Sequence, residues 1–303
     1  MGILIAGGSG FLGSILSKAF VAGGEKVYIL TRAPERFAAS KGIEWLKWNG
    51  RTPSGWQDII EKTDVVLNLA GDNIGGGLWT PEKKKRIETS RLQAGAAISE
   101  AIKLAKIRPK LLIQTSGVGY YGVHSEGRFE ENDPAGEDWL ARLSVLWEDS
   151  TSAVESLGVR RVVTRVGLVF DPAAGILPRY MLPFRFFIGG RLGSGKQWVS
   201  WIHREDYVRS ILFFVNNPQA RGVFNLCAPG VVRYEELGKT LGKAMRRPYW
   251  VPAPAFALKF ILGEMSTLVL DGQNAYPKRL LEAGFKFNFP DIQSALSDLF
   301  QKA

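Results

Sequence analysis

The stretch that decides the fold is Ile3-Leu4-Ile5-Ala6-Gly7-Gly8-Ser9-Gly10-Phe11-Leu12-Gly13-Ser14-Ile15-Leu16. Its first four residues form a short apolar run, suited to a strand buried on both faces. Four residues of glycine and serine then turn into a segment whose apolar positions continue at helical spacing to Phe20 and Val21. Gly23-Gly24 ends that helix, and Val27-Tyr28-Ile29-Leu30 reads as the second strand. Working outward, strands are expected over 65–69, 111–115 and 161–170, with helices over about 81–106 and 137–157. Strand alternating with helix predicts an α/β fold with a Rossmann-like, doubly wound and mostly parallel sheet. After Phe170, prolines and the glycines from Gly189 to Gly195 interrupt the alternation. A helix over 206–216 and a strand over 222–228 are read as returning to the sheet. Small helices separated by Pro248, Pro252, Pro254 and Pro277 follow. The expected organisation is a cofactor domain over 1–170, rejoined by 201–228, with a smaller, mostly helical C-terminal lobe on the substrate side from 171–200 and 229–303.

Gly7-x-x-Gly10-x-x-Gly13 sits between the first strand and the first helix, where a dinucleotide fingerprint must sit. The first glycine permits the tight turn, the second lets backbone approach the pyrophosphate, and the third lets helix pack on strand. The helix N-terminus then faces the phosphates. The end of the second strand selects the dinucleotide. NAD enzymes place Asp or Glu there for the ribose 2′-hydroxyl, whereas NADP enzymes favour a basic residue. Here the strand ends Leu30-Thr31-Arg32, with no carboxylate before Glu35. A guanidinium can grip a 2′-phosphate with two hydrogen bonds, so NADP(H) is the expected cofactor. The competing reading makes Arg32 an ordinary solvated cation.

Composition narrows the class. Of 303 residues, 46% are hydrophobic and 22% charged, close to the globular average and unlike a disordered or fibrous chain. The 39 Lys and Arg against 29 Asp and Glu leave a formal charge of +10, which suits a phosphorylated ligand, nucleic acid or acidic lipid alike. A single cysteine, Cys227, excludes an internal disulfide framework and any multi-Cys metal site, and two histidines, His124 and His203, leave little for a zinc site, so no metal is expected. No segment has the length of an uncharged membrane span, and the N-terminal apolar run is too short for a signal peptide. The default expectation is cytoplasmic, with a small-molecule substrate and neither nucleic-acid nor membrane partner. Oligomeric state is not legible.

With the glycine turn, Thr31-Arg32, Asp64-Val65-Val66-Leu67-Asn68-Leu69-Ala70-Gly71 and Thr115-Ser116 in order, the chain resembles an extended short-chain dehydrogenase/reductase. More narrowly, it resembles the atypical, nucleoside-diphosphate-sugar epimerase-like family with a C-terminal domain of unknown function. The matching stretches are Ser116-Gly117-Val118-Gly119-Tyr120-Tyr121-Gly122, Arg165-Val166-Gly167-Leu168-Val169, Gly193-Ser194-Gly195-Lys196-Gln197-Trp198-Val199-Ser200-Trp201-Ile202-His203 and, near the end, Pro277-Lys278-Arg279-Leu280-Leu281-Glu282-Ala283-Gly284-Phe285. The resemblance implies that Gly7, Gly10, Phe11, Leu12, Gly13, Thr31 and Arg32 hold the cofactor. It implies that Leu69, Ala70 and Gly71 line its adenosine side, that Arg86 and Arg91 fall near its phosphates and ribose, and that Val169 lies near the nicotinamide.

One part of the pattern is missing. The superfamily's usual pair is Tyr-x-x-x-Lys, and no tyrosine here has a lysine four residues later. Counting back from Glu148, the pair falls on Leu140 and Ser144, or one residue earlier on Trp139 and Leu143; neither register can move a proton. A tyrosine at its ordinary pKa of about 10 is roughly 0.1% phenolate at pH 7, a deficit of about 4 kcal/mol for a reaction that needs a base. Carbonyl reduction needs only an acid, and a neutral tyrosine already carries the proton. The remaining catalytic candidates are Ser116, at the C-terminal end of a central strand, and Tyr120 and Tyr121. Against these stand a serine closing its own turn and tyrosines serving as pocket wall.

Other signals carry less. The segment 190–196 fits a P-loop except that Gln197 replaces the final Ser or Thr, and an alternating strand follows where a helix should. It reads as a turn that offers Lys196 to an anionic substrate. His203 precedes a helix that Asp206 can cap, which favours a structural role. Lys83-Lys84-Lys85-Arg86 reads as a solvated face with Arg86 aimed at the cofactor.

Overall fold

The computed structural model describes residues 1–124 and 126–301. The strands are β1 (Gly2–Ala6), β2 (Lys26–Thr31), β3 (Ile43–Lys47), β4 (Val65–Asn68), β5 (Leu111–Gly117), β6 (Arg160–Val166), β7 (Leu168–Asp171), β8 (Ala174–Gly175), β9 (Trp198–Val199), β10 (Trp201–His203), β11 (Gly222–Leu226) and β12 (Val232–Arg233). The helices are α1 (Phe11–Ala22), α2 (Pro81–Leu104), α3 (Trp139–Asp149), α4 (Leu177–Arg185), α5 (Arg204–Asn216), α6 (Tyr234–Met245), α7 (Ala255–Leu262), α8 (Thr267–Leu270), α9 (Lys278–Glu282) and α10 (Ile292–Gln301).

Seven strands form one sheet in the order β11-β6-β5-β4-β1-β2-β3, and every pairing in it is parallel. The Rossmann-like reading is therefore correct. The apolar run of β1 serves two cores at once. Ile3 and Ile5 pack with Leu16 and Phe20 of α1 and with Ile211 and Phe214 of α5. Leu4 and Ala6 face Ala94, Ile98 and Ala101 of α2. From β1 the chain builds outward through β2 and β3, then returns to build the other way from β4. The C-terminal end of β1 is therefore a topological switch point, where open α/β sheets place ligands.

The sequence reading missed β3, whose residues are only half-buried at the sheet edge. It also fused two strands. β6 ends at Val166, Gly167 donates its N–H to the Leu226 carbonyl, and β7 leaves the sheet to pair with β10. A Cβ on Gly167 would lie 2.6 Å from the Ser200 carbonyl oxygen, so this sharp departure requires glycine. β11 does return to the sheet, alongside β6. Beside it Cys227 is fully buried, and its thiol donates to the Ala275 carbonyl at 3.0 Å. A third core joins Phe170 and Trp201 to Leu177 and Phe184 of α4, Leu237 and Leu241 of α6 and Leu296 and Leu299 of α10.

The start of α5 corrects one expectation. Its N-cap is His203, whose Nδ1 accepts the Glu205 N–H at 3.1 Å. Asp206 is fully buried and instead accepts N–H groups of Asn288 and Phe289, tying down the tail. Burial holds the His203 imidazole below its usual range, against the pull of the Asp298 carboxylate 3.4 Å from Nε2. As pH falls through about 6.5, the unfolded chain takes up this proton before the folded one does, so stability declines. Asparagine can also cap a helix. His203→Asn should therefore flatten the loss of stability between pH 7.5 and 5.5, read from urea midpoints. An unchanged slope would contradict the assignment.

Candidate active site

The glycine turn lies at the switch point. Gly7 has φ +82°, and a Cβ there would press on the Leu69 backbone at 2.9 Å. A Cβ on Gly13 would lie 2.4 Å from the Gly8 Cα, so the third glycine lets α1 pack on the turn. At Gly10 a Cβ would meet only the Gly7 carbonyl oxygen, at 3.4 Å. Gly10 is the N-cap of α1, without a side-chain cap and with no acidic residue in the first turn. Those first-turn N–H groups are left for an external acceptor. Phe11 and Leu12 are half-buried, and a Cβ on Gly175 of β8 would sit 3.1 Å from the Phe11 ring.

Thr31 is buried at the end of β2, and its Oγ1 accepts the Ala33 N–H at 3.4 Å. Arg32 is exposed and has no ion pair among the described residues. Leu69 and Ala70 are half-buried beyond β4, and Gly71 is exposed. Val169 is buried in the first core. The basic run at the start of α2 is organised differently from a solvated face. Lys83 is buried with Nζ 3.0 Å from Asp72, and Arg86 pairs with the same carboxylate through Nε at 2.7 Å. Lys84 pairs with Glu264. Arg91 is buried, donates to the Asp72 and Ile87 carbonyls at 3.0 Å, and lies over the Trp147 ring. Burial pulls its pKa down to about 10, which leaves it charged at neutral pH.

A cleft of about 1000 Å³, counted out to open solvent, lies between the C-terminal ends of β5 and β6, helix α3 and the segment 267–273. Leu140 and Ser144 both line it, together with Leu143 and Trp147. The residues in the register of the superfamily pair thus stand at the cavity wall, and the Ser144 hydroxyl is already committed to the Leu140 carbonyl at 2.9 Å. Gly117 reaches the wall, but Ser116 lies beneath it, with its Oγ buried and without a hydrogen-bond partner. Ser116 neither closes a turn nor opens onto the cleft.

The tyrosines change places. Tyr121 is fully buried; its hydroxyl donates to Asn225 Oδ1 at 2.8 Å and accepts from Arg165 Nη1 at 3.1 Å. It is a structural member of a buried network and cannot deliver a proton to the cleft. Tyr120 lies with its ring face 3.2 Å from the Arg165 guanidinium carbon and does not line the cleft. Arg165 is held by Glu148 in a two-pronged pair, Nε to Oε1 at 2.9 Å and Nη2 to Oε2 at 3.0 Å. The tyrosines that do line the cleft are Tyr180 of α4 and Tyr234 of α6, packed edge to face at 5.5 Å. Neither hydroxyl has a hydrogen-bond partner among the described residues. Burial pushes both phenols above the usual range, so both stay protonated. Sequence reading missed them because nothing in their spacing connects them to the sheet. Lys196 is exposed and off the cleft, in the turn that was expected there. Among the described residues no cluster of His, Cys, Asp or Glu could hold a metal ion.

A parallel sheet with an uncapped glycine turn at its switch point, facing a mostly apolar cleft, defines a nucleotide-dependent α/β protein. Residues 3–144 match the NAD dependent epimerase/dehydratase family, and residues 253–299 match a domain of unknown function, DUF1731. The Epimerase family protein YfhF of Bacillus subtilis (strain 168) is 39% identical over 300 residues, which cover 99% of this chain and 98% of that protein. The crystal structure of human epimerase family protein SDR39U1 (isoform2) with NADPH superposes with a TM-score of 0.87 at 27% identity, covering 100% of both chains. The UDP-glucose 4-epimerase of Thermus thermophilus in complex with NAD shares the fold, with a TM-score of 0.76 at 19% identity and 100% coverage of both. The chain belongs to the epimerase family of extended short-chain dehydrogenase/reductase type, in the branch that carries DUF1731. Members of that family use an NAD(P) cofactor.

Proposed function

We propose that the chain is an NADP(H)-dependent oxidoreductase of epimerase-like type, acting on a small carbonyl or nucleotide-sugar substrate chiefly in the direction of reduction. The observation that carries this reading is the wall of the cleft. Leu140 and Ser144 fill the register of the proton-moving pair, while Tyr180 presents a protonated phenol from α4. Gly7, Gly10, Phe11, Leu12, Gly13 and Thr31 would cradle the dinucleotide, with Arg32 on the 2′-phosphate. Two donors at the cleft wall, Arg91 Nε and Trp147 Nε1, are buried without acceptors, which fits an oxygen-rich ligand beside them. NADPH, when bound, supplies the hydride. The chain's own part is to exclude water with apolar wall residues and to protonate the substrate oxygen from Tyr180. In this reading 1–170 and 201–228 form the cofactor domain, and 171–200 with 229–303 close the substrate side.

Arg32→Asp tests the cofactor assignment. Losing charge-assisted bonds worth about 1.5–3 kcal/mol should weaken NADPH binding about ten- to a hundredfold and leave NADH nearly unchanged. Equal losses for both dinucleotides would refute it. The missing pair also favours a second reading, a non-catalytic NADP(H) sensor. Tight NADPH binding with no turnover across a panel of carbonyls and nucleotide sugars would select that one.

A further inference from the structure

Helix α7, Ala255-Phe256-Ala257-Leu258-Lys259-Phe260-Ile261-Leu262, is apolar all round apart from Lys259, and none of its residues is buried. Such a helix ordinarily sits in a core or in lipid. Here Phe256 is 77% exposed, Phe260 91% and Ile261 65%. The surface does not end there. Trp250 (69% exposed) donates Nε1 to the Phe187 carbonyl at 2.7 Å, and the backbone N–H groups of Trp250 and Val251 both donate to the Gly189 carbonyl. This sets Phe186 (69%), Phe187 (52%) and Ile188 (54%) beside Trp250, directly before α7.

Charge separates the candidate occupants. The two segments that build this surface, 182–191 and 243–262, contain Arg185, Arg191, Lys243, Arg246, Arg247 and Lys259 and not one Asp or Glu. All six cations are exposed. In a two-fold pairing of copies of this chain the same patch would meet itself, cation against cation. A concave partner of neutral charge would leave the cations uncompensated. A bilayer rich in anionic phospholipid satisfies both features, since aromatic rings enter the headgroup boundary while Lys and Arg meet phosphate.

We propose that this surface docks the protein peripherally on anionic membranes, with α7 lying in the interface plane. It lies on the membrane rather than across it: among the described residues no helix is long and apolar enough to span one. The docking face adjoins the cleft, because α7 leads through 263–266 into Thr267, Leu268 and Val269 of the cleft wall. The proposal stands independently of the reaction carried out in the cleft.

Co-sedimentation with vesicles tests it, using phosphatidylcholine alone and an equal mixture with phosphatidylglycerol. The protein should bind the mixed vesicles, bind phosphatidylcholine at least tenfold more weakly, and release as salt rises. Phe256→Ser with Phe260→Ser should weaken binding tenfold or more, as should Arg185→Glu with Lys259→Glu, while unfolding midpoints stay at the parent value. Ile107→Ser, an exposed apolar residue elsewhere, should change nothing. Absence of binding to the mixed vesicles, or binding that ignores both double variants, would overturn the proposal. So would a dimer by light scattering that the Phe256/Phe260 variant converts to monomer, which would give the face to a second copy.

Discussion

Tyr180→Phe should lower the turnover number for NADPH-dependent carbonyl reduction by about a hundredfold, the lower end of what a positioned general acid contributes. NADPH affinity and unfolding midpoint should stay close to the parent values, because the hydroxyl makes no hydrogen bond among the described residues. Two controls locate the effect. Tyr234→Phe removes the neighbouring hydroxyl, and its comparison with Tyr180→Phe shows which phenol faces the substrate. Tyr121→Phe removes a hydroxyl shared by Asn225 and Arg165, so it should cost stability, about 1–3 kcal/mol, rather than rate. The pH profile carries a second signature. A phenol held above its usual range remains an acid throughout pH 6 to 9, so reduction should show no fall from loss of the donor's proton. Oxidation of the corresponding alcohol should be slow at pH 7 for want of a base. Parent-like turnover in Tyr180→Phe, or equally fast oxidation at pH 7, would defeat the assignment.

Arg165→Met should destabilise the fold by about 3–5 kcal/mol, the cost of leaving one member of a buried ion pair without its partner. Arg165 ties β6 to α3 through Glu148 and lies against the half-buried Tyr120 and the buried Tyr121. Besides both Glu148 oxygens it donates to the Glu131 carbonyl and the Tyr121 hydroxyl. Its removal leaves the Glu148 carboxylate in a site that is almost closed to water. Replacing both partners, as in Arg165→Met with Glu148→Leu, removes the orphaned charge and should recover most of the loss. Urea unfolding of the two singles and the double measures the coupling. A cost below about 1 kcal/mol for Arg165→Met would place the pair among weakly coupled surface pairs.

The first thirty residues made the fold legible, because a strand buried on both faces and a phosphate-binding turn each constrain residue type at every position. β1, α1 and β2 fall within one residue of their expected bounds. The strand β3 was illegible because an edge strand buries only half of each side chain and keeps no clean pattern. The fusion of β6 with β7 has the same kind of cause. Gly167 sits between the apolar stretches 162–166, which also holds Thr164 and Arg165, and 168–170, and only the crowding by Ser200 reveals that the chain changes sheets there. The site was readable where a backbone requirement fixes the residue, as at Gly7 and Gly13. It was unreadable where function depends on which way a side chain points. Tyr120 and Tyr121 sit in a motif that suggested chemistry, and the fold uses them around Arg165. Tyr180 and Tyr234 sit in no motif, and their place on the cleft follows from how α4 and α6 pack in the third core. The capping of α5 shows the reverse limit: Asp206 is the better cap by composition, but the tail at Asn288 and Phe289 competes for its oxygens.

Cys227 gives the molecule an internal clock. It is the single cysteine of the chain, sealed between β11 and the Ala275 carbonyl, and burial pushes its thiol well above the usual range. The thiolate is the form that attacks thiol reagents, so modification waits for the segment around Ala275 to lift from the sheet. The labelling rate therefore times that opening against the intrinsic reactivity of an exposed cysteine, one event per molecule, and converts it to a local free energy. Because Gly272 and Gln273, just before Ala275, form part of the cleft wall, any ligand that braces the wall slows the clock.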